Sequence, residues 1–445
     1  MGRPSQSRAL GVWANGLYVG RWTIPRNAPM MFRYDDAWVS AEEGRPLSLS
    51  LPFSLDELTV TGDRVGHYFD NLLPDSEPIR RRFASRYGVD GRDPFDLLAA
   101  IGRDCVGAVQ LLPVGEEPQD VTRIHTRTLS DAAIEQLLCA VPRADLRAAD
   151  AAEDFRISLA GAQEKTALTF HRGRWCIPLG STPTTHIFKL PLGLIGGREL
   201  DLSTSLENEW LCSRLLATFG IPVAHSELAR FGDVKTLIVE RFDRRLHPSN
   251  KYWLRLPQED FCQATGRPSS AKYEVDGGPG LVEISRILGS SDARDADVAT
   301  LLQAQLLFWM LAAIDGHAKN FSIHLLPQGH FRLTPLYDVI SAWPVVGKKA
   351  NQLHQNKLKL AMAVRGKNKH YRIAEIRRGH FNATARACGL GPDMNELITR
   401  VVEATPAAIE RIENELPKGF PAHVFDTVTA GLKKASRALK AARDG

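Results

Sequence analysis

Asp315 and Asn320 stand five residues apart in the segment Asp-Gly-His-Ala-Lys-Asn, and Asp338 follows a short interval later, directly after Tyr337. An Asp, an Asn and a second Asp in this order suit phosphoryl transfer to a hydroxyl. One carboxylate orients the nucleophile and accepts its proton, while the amide and the other carboxylate hold Mg²⁺ against phosphate oxygens. The interval from Asp315 to Asn320 equals the D-x-x-x-x-N spacing of a kinase catalytic loop, and Asp338 falls where a second metal-binding Asp is kept. Asp315 is therefore expected as the base, with Asn320 and Asp338 as metal ligands. The plainer alternative makes Asp315 a helix cap and Asn320 a turn residue. A carboxylate there would face the negative end of the helix dipole, which is unfavourable without a cation.

Two upstream stretches offer phosphate contacts. In residues 157–168, small residues flank Gly161 between apolar segments, and free backbone N–H groups of such a turn can bind phosphate oxygens. It is neither a Walker A loop nor G-x-G-x-x-G, so a simple hairpin turn stands beside that reading. Lys189 lies in an apolar strand, which is costly unless its ammonium finds an anion or reaches water along a sheet edge. A kinase places such a Lys on the nucleotide phosphates and pairs it with a helix glutamate. Glu207 and Glu209, on the amphipathic helix expected over 202–219 with Ser203 or Ser205 as N-cap and Gly220 as stop, both qualify. The strand expected over 234–240 runs into an Arg-Phe-Asp-Arg-Arg linker, where a kinase keeps its adenine-binding hinge.

These residues need a scaffold. Residues 300–314 form an apolar run long enough for a buried helix, which Asp315-Gly316 should end. Residues 321–325 and 330–333 read as a hairpin around Pro327-Gln328-Gly329. At the other end of the chain, residues 10–20 read as a hairpin with Asn15-Gly16 at its turn. Residues 31–34 and 47–51 alternate like strands. The stretch from Phe69 to Asp75 opens a helix carrying Arg80, Arg81, Arg82 and Arg86, expected as a solvated face. Residues 116–152 read as a connection with short helices. Two C-terminal helices are expected over 392–416 and 421–443.

A chain of 445 residues with 44% hydrophobic and 24% charged content supports two or three cored units. The net charge of +5 is mild, so a basic partner surface must be local. No apolar span suits a membrane, and the first residues lack a signal-peptide core. The six cysteines are scattered without a CxxC pair, as expected of reduced, mostly buried thiols in a cytoplasmic protein.

The segments 157–168, 186–191, 239–245, 256–262, 272–280 (KYEVDGGPG), 315–322 and 333–342 (LTPLYDVISA), in this order, resemble the HipA family. These are bacterial serine/threonine kinases that act as toxins of type II toxin–antitoxin modules. The resemblance spans nearly the whole chain. It implies an α+β, protein-kinase-like, two-lobed fold with a mixed N-terminal lobe and a mainly helical C-terminal lobe. The expected divisions are an N-terminal subdomain over 1–150, a nucleotide-binding portion over 151–255 and a catalytic lobe over 256–445. It implies ATP and Mg²⁺, with nucleotide contacts from Ala160, Gly161, Ala162, Gln163, Glu164, Lys165, Lys189, Glu240, Arg241, Phe242, His317, Lys319, Asn320, Tyr337 and Asp338. Ser158 matches the family's autophosphorylated serine, whose modification ejects the phosphate loop and switches the kinase off. The implied partners are a HipB-like helix-turn-helix antitoxin, operator DNA bound through it, and a protein substrate of which glutamyl-tRNA synthetase is the best known.

Between Pro344 and Arg386 the chain carries eleven Lys/Arg against one acid, Glu375. Such density suggests a phosphate-binding surface, and Arg386 is a candidate DNA contact. An acidic substrate surface or a solvated loop would also account for it. Two functions compete with the toxin-kinase reading. One is a kinase for another aminoacyl-tRNA synthetase, a small molecule or a lipid. The other is a non-enzymatic corepressor with a decayed nucleotide site, against which the intact Asp315, Asn320, Asp338 and Lys189 argue.

Overall fold

A computed structural model of the chain describes residues 7–54, 56–89, 93–142, 157–161, 163–196 and 200–441. The chain forms two compact units that interleave in sequence: 1–190, 229–270 and 323–331 in the first, 191–228, 271–322 and 332–445 in the second. The compact units therefore do not follow the linear divisions at 150 and 255.

The first unit opens on an antiparallel sheet in the order 59–61, 31–34, 17–24, 8–14, 109–113. Its first hairpin turns at Asn15 (φ 50°) and Gly16 (φ 87°), both left-handed as a tight Asn-Gly turn requires. Trp22 stacks on Phe69 at 4.1 Å in its core. Residues 47–51 are buried at several positions but form no strand. Local side-chain bonds compete there: the Tyr34 hydroxyl accepts from Leu47 N–H at 2.9 Å and the Ser48 hydroxyl from Ser50 N–H at 3.0 Å. The arginine-bearing helix also begins later than expected. Asp63–Asp70 and Glu77–Tyr87 are separate helices, broken around Pro74. Arg80 binds Asp70 at 2.6 Å, Arg81 meets Glu77 at 3.7 Å and Arg82 pairs with Glu164, so three of the four arginines on the supposed solvated face are engaged in ion pairs.

A second sheet runs in the order 226–231, 234–240, 186–189, 165–171, 174–178, 126–128. Phe188, Leu168, Ile177 and Ile238 pack beneath it against Ile134 and Leu138 of the helix Asp131–Ala140.

The second unit is mainly helical and is built around Arg294–Leu311, buried on most sides. Its polar side chains are satisfied: Gln305 donates to the Met362 carbonyl at 2.9 Å and Trp309 to that of Ile373 at 3.0 Å. The helix ends at Leu311, earlier than expected, because Ala312 turns left-handed (φ 48°) and Ala313 N–H folds back onto the Phe308 carbonyl at 2.8 Å. Asp315 thus lies past the last turn, where the dipole no longer decides its charge. The C-terminal helices run over Asn395–Glu415 and Ala422–Ala441. Among the described residues no helix is long and apolar enough to cross a membrane. Five of the six cysteines are buried, Cys139 is exposed, and none forms a disulfide.

Candidate active site

The segment 315–320 crosses from the central helix to the hairpin Ser322–Leu325/Phe331–Leu333. Gly316 is dictated by proximity: a Cβ there would lie 2.4 Å from the Phe308 ring, so the loop presses directly on the helix. The loop closes on itself. His317 N–H donates to the Asp315 carbonyl at 2.7 Å and Asn320 N–H to the His317 carbonyl at 2.9 Å, which shapes the turn Ala318–Asn320. This leaves Asp315 exposed and His317, Lys319 and Asn320 buried.

Asn320 reaches across to the second acid. Its Nδ2 donates to the Asp338 carbonyl at 3.1 Å. Its Oδ1 is buried and, among the described residues, accepts no hydrogen bond. A buried amide oxygen without a donor is costly, and a hard cation is a ligand suited to it. Asp338 adopts a left-handed backbone (φ 63°), which Asp tolerates better than most residues. Three ties hold the chain beyond it. Asn208, on the helix Ser205–Thr218, donates to the Ser341 carbonyl at 2.8 Å and accepts from its N–H at 3.0 Å. Ala342 N–H donates to the Ala312 carbonyl at 3.0 Å. Tyr337 donates to the Lys319 carbonyl at 2.8 Å, so the neighbours of both expected metal ligands are also joined. An Asn oxygen and an Asp carboxylate fit Mg²⁺, which keeps several waters and takes few protein ligands.

Tyr273 is a member that spacing arguments do not reach. Its hydroxyl donates to Asp315 Oδ1, and its ring meets His317 edge-on at 5.1 Å and 90°. Glu207 and Glu209 are both buried on one helix, and two residues apart they face different sides.

The remaining candidates lie in the first unit. Lys189 and Lys165 are direct cross-strand partners, so two ammonium groups sit on one face of the sheet, an arrangement that an anion relieves. Lys165 Nζ donates to the Ala160 carbonyl. Gly161 bridges to Pro74, and its carbonyl accepts from Asp75 N–H at 3.0 Å. Gln163 Nε2 donates to the Leu190 carbonyl at 2.6 Å, and Leu190 N–H returns to the Glu164 carbonyl at 3.1 Å. Ala162 lies outside the described residues. Ser158 is fully buried, its hydroxyl donating to the Leu72 carbonyl at 2.7 Å and its N–H to that of Asp104 at 3.1 Å.

At the expected hinge, Glu240 ends its strand exposed and the Phe242 ring meets His324 at 5.7 Å. Arg241 is committed elsewhere. Its N–H donates to the Thr185 carbonyl at 2.9 Å, and its guanidinium binds Asp243 at 2.8 Å and Asp104 at 3.4 Å. Arg244 and Arg255 also converge on Asp104, at 2.9 and 3.2 Å. Burial would push the Asp104 carboxyl up; the guanidinium groups of Arg244, Arg255 and Arg241, with the Thr184 hydroxyl, hold it well below the usual carboxylate range. This buried network is structural; only Arg244 and Arg255 lie on strands, and Asp104 joins them from more than 130 residues away, so no local pattern marks it.

Residues 157–409 match the model of the HipA-like C-terminal domain and residues 10–112 that of the HipA N-terminal domain. The chain belongs to the HipA family. It is 34% identical over 412 residues to the putative kinase Y4mE of Sinorhizobium fredii, covering 91% of this chain and 92% of that one. It is 28% identical to the serine/threonine-protein kinase toxin HipA of Shewanella oneidensis, over 84% of this chain and 83% of the relative. Its fold is that of HipA in the Shewanella oneidensis complex of HipA, HipB and operator DNA, with TM-score 0.77 and 24% identity over 98% of this chain and 99% of that one. As a HipA-family protein with this two-unit α+β, kinase-like architecture, the chain is a kinase.

Proposed function

We propose that this HipA-family kinase transfers the γ-phosphate of ATP to a serine of a protein substrate, and that it serves as the toxin of a toxin–antitoxin pair. The observation that carries the reading is the loop itself. Asp315 presents an exposed carboxylate, while Asn320, five residues on, holds a buried oxygen that meets no donor among the described residues, with its amide nitrogen on the Asp338 backbone. Asp315 is the base: it orients the incoming serine hydroxyl and accepts its proton as the oxygen attacks phosphorus. Asn320 and Asp338 would hold Mg²⁺, which neutralises charge on the phosphates when bound. Lys189, with Lys165 beside it in the sheet, supplies positive charge for phosphate oxygens.

Family membership supports the remaining assignments. Ser158 is the proposed site of self-inhibiting phosphorylation, a HipB-like helix-turn-helix protein the proposed antitoxin, and glutamyl-tRNA synthetase the proposed target. Within 344–386 most basic side chains are exposed, Arg386 among them, which supports contact with operator phosphates in a complex with that antitoxin.

The test is incubation of the purified chain with labelled ATP and Mg²⁺, with and without the synthetase. Label is expected on Ser158 and on the synthetase, and on neither with D315N. Wild-type transfer by D315N removes Asp315 from its role. Label on neither protein, with antitoxin and operator binding retained, favours the corepressor.

A further inference from the structure

The segment 272–280 carries no chemistry that spacing reveals, yet it is tied to the catalytic loop at three levels. Ala318 N–H donates to the Lys272 carbonyl at 3.2 Å. The Tyr273 ring packs at right angles on the buried His317. The Tyr273 hydroxyl donates to Asp315 Oδ1. Asp315 remains exposed.

The segment is in turn fastened from behind. Glu274 accepts from Ala363 N–H at 2.7 Å and from Lys369 Nζ at 2.7 Å, both on the hairpin Lys359–Arg365/Lys369–Arg372. Its side chain is only 7% exposed. Gly280 makes room for it, since a Cβ there would fall 2.4 Å from the Glu274 carboxyl carbon. Gly278 N–H closes the turn on the Tyr273 carbonyl at 2.9 Å. The hydrogen bond to Glu274 holds the Lys369 ammonium above its usual range. An exposed carboxylate on a loop has rotational freedom, and the Tyr273 hydrogen bond restrains it, its donor standing beside the nearly buried Glu274 carboxylate, whose partner Lys369 is exposed.

We propose that Tyr273 is a positioning residue for phosphoryl transfer: its phenol holds the Asp315 carboxylate in one orientation toward the acceptor hydroxyl, and the Glu274–Lys369 pair holds Tyr273 in place. This rests on Asp315 being the base. A base held in one rotamer meets the hydroxyl in productive geometry more often, so the gain falls on turnover and not on nucleotide binding.

The test compares full-length wild type, Y273F, E274A and Y273F/E274A, with D315N as the inactive reference. Y273F is expected to lower kcat by about ten- to a hundredfold while leaving the KM for ATP and the melting temperature unchanged. E274A should lower kcat in the same direction, and the double variant should fall little further, because both act through one hydrogen bond. Unchanged or raised kcat in Y273F overturns the positioning role, as does a fall accompanied by an equal change in the KM for ATP, or full additivity of the two substitutions. Absence of transfer by the wild type, or wild-type transfer by D315N, overturns the kinase reading and this role with it.

Discussion

Asn320 Nδ2 donates to the backbone carbonyl of Asp338 at 3.1 Å, joining two positions 18 residues apart. The bond fixes which way the amide faces: with nitrogen toward Asp338, Oδ1 points into a buried space where, among the described residues, no donor meets it. Removing the side chain should affect catalysis far more than folding. N320A is expected to lose at least a hundredfold in kcat, because the proposed metal ligand disappears, and about 1 kcal/mol of stability for the single hydrogen bond. Transfer assays across a Mg²⁺ titration, read beside a thermal melt, check both. A drop in stability large enough to account for the lost activity would count against the ligand role.

Ser158 is the proposed phosphorylation site, yet its hydroxyl is sealed against the Leu72 carbonyl. Phosphate brings close to two negative charges and cannot enter that seat without leaving a buried, unpaired anion. The backbone around it must therefore leave. S158D should expose residues 157–165 to protease and weaken ATP binding at least tenfold, an estimate from the loss of one ordered phosphate-binding segment. S158A should keep the segment protected and bind ATP like the wild type. Equal protection and equal nucleotide affinity in S158D would remove the gating role.

Much of this was legible beforehand, for physical reasons. The hairpin of the first sheet is written in Asn15-Gly16, since few other dipeptides accept two left-handed residues. The central helix was legible from its apolar run, but not its end. Ala312 takes the left-handed position that Gly usually marks, and the ties from Ser341 and Ala342 that hold it come from residues distant in sequence. The Asp–Asn–Asp set could be singled out because phosphoryl-transfer chemistry would fix both residue types and spacing, and the structure joins Asn320 to the Asp338 backbone. Tyr273 was not, because its bond to Asp315 spans 42 residues with no local pattern. Arg241 was read as a hinge residue from its place after a strand. Its burial against Asp104 joins positions 137 residues apart and is invisible locally.

The basic stretch divides in the same way. Arg386 is exposed and spends one nitrogen on the Pro392 carbonyl at 2.8 Å, whereas Arg378 is buried, with Nε on the Asn395 side chain at 2.9 Å and Nη1 on the Leu439 carbonyl at 3.3 Å. R386A should weaken operator binding by the antitoxin complex evenly across sequences and reduce the slope of log affinity against log salt by about 1. R378A should instead lower the melting temperature. Binding titrations at several salt concentrations separate the two, and an unchanged slope for R386A would remove it from the DNA surface.

Glu259 is fully buried and accepts from Leu49 N–H at 2.8 Å. Burial pushes its carboxyl up to about 8, against the lowering effect of the Ser48 and Leu49 hydrogen bonds, so it is protonated in the folded protein at neutral pH. In the unfolded chain it ionises near the ordinary value of about 4.3. The folded state then binds more protons between those limits, and stability falls as pH rises through them, by on the order of 5 kcal/mol in all. E259Q keeps a neutral hydrogen-bonding group and should flatten that decline. Denaturant melts of both proteins from pH 5 to pH 8.5 provide the check, and parallel curves would place the pH dependence elsewhere.

Asp104 meets three guanidinium groups in the first unit, and the Asp104 carbonyl also takes the N–H of Ser158. D104N preserves shape but removes the charge that balances Arg241, Arg244 and Arg255, leaving Asp243 alone among them. Breaking a buried pair in this way costs about 3–5 kcal/mol. The carboxylate's contribution is present above its unfolded value near pH 4 and lost as pH falls through the depressed folded one. The wild type should therefore lose stability on acidification below pH 4 more steeply than D104N, which starts lower. If D104N melts with the wild type at pH 7, the network is balanced by something other than this carboxylate. If it melts early but is phosphorylated at Ser158 at the wild-type rate, the bond from Ser158 to the Asp104 backbone is independent of the ion cluster beside it.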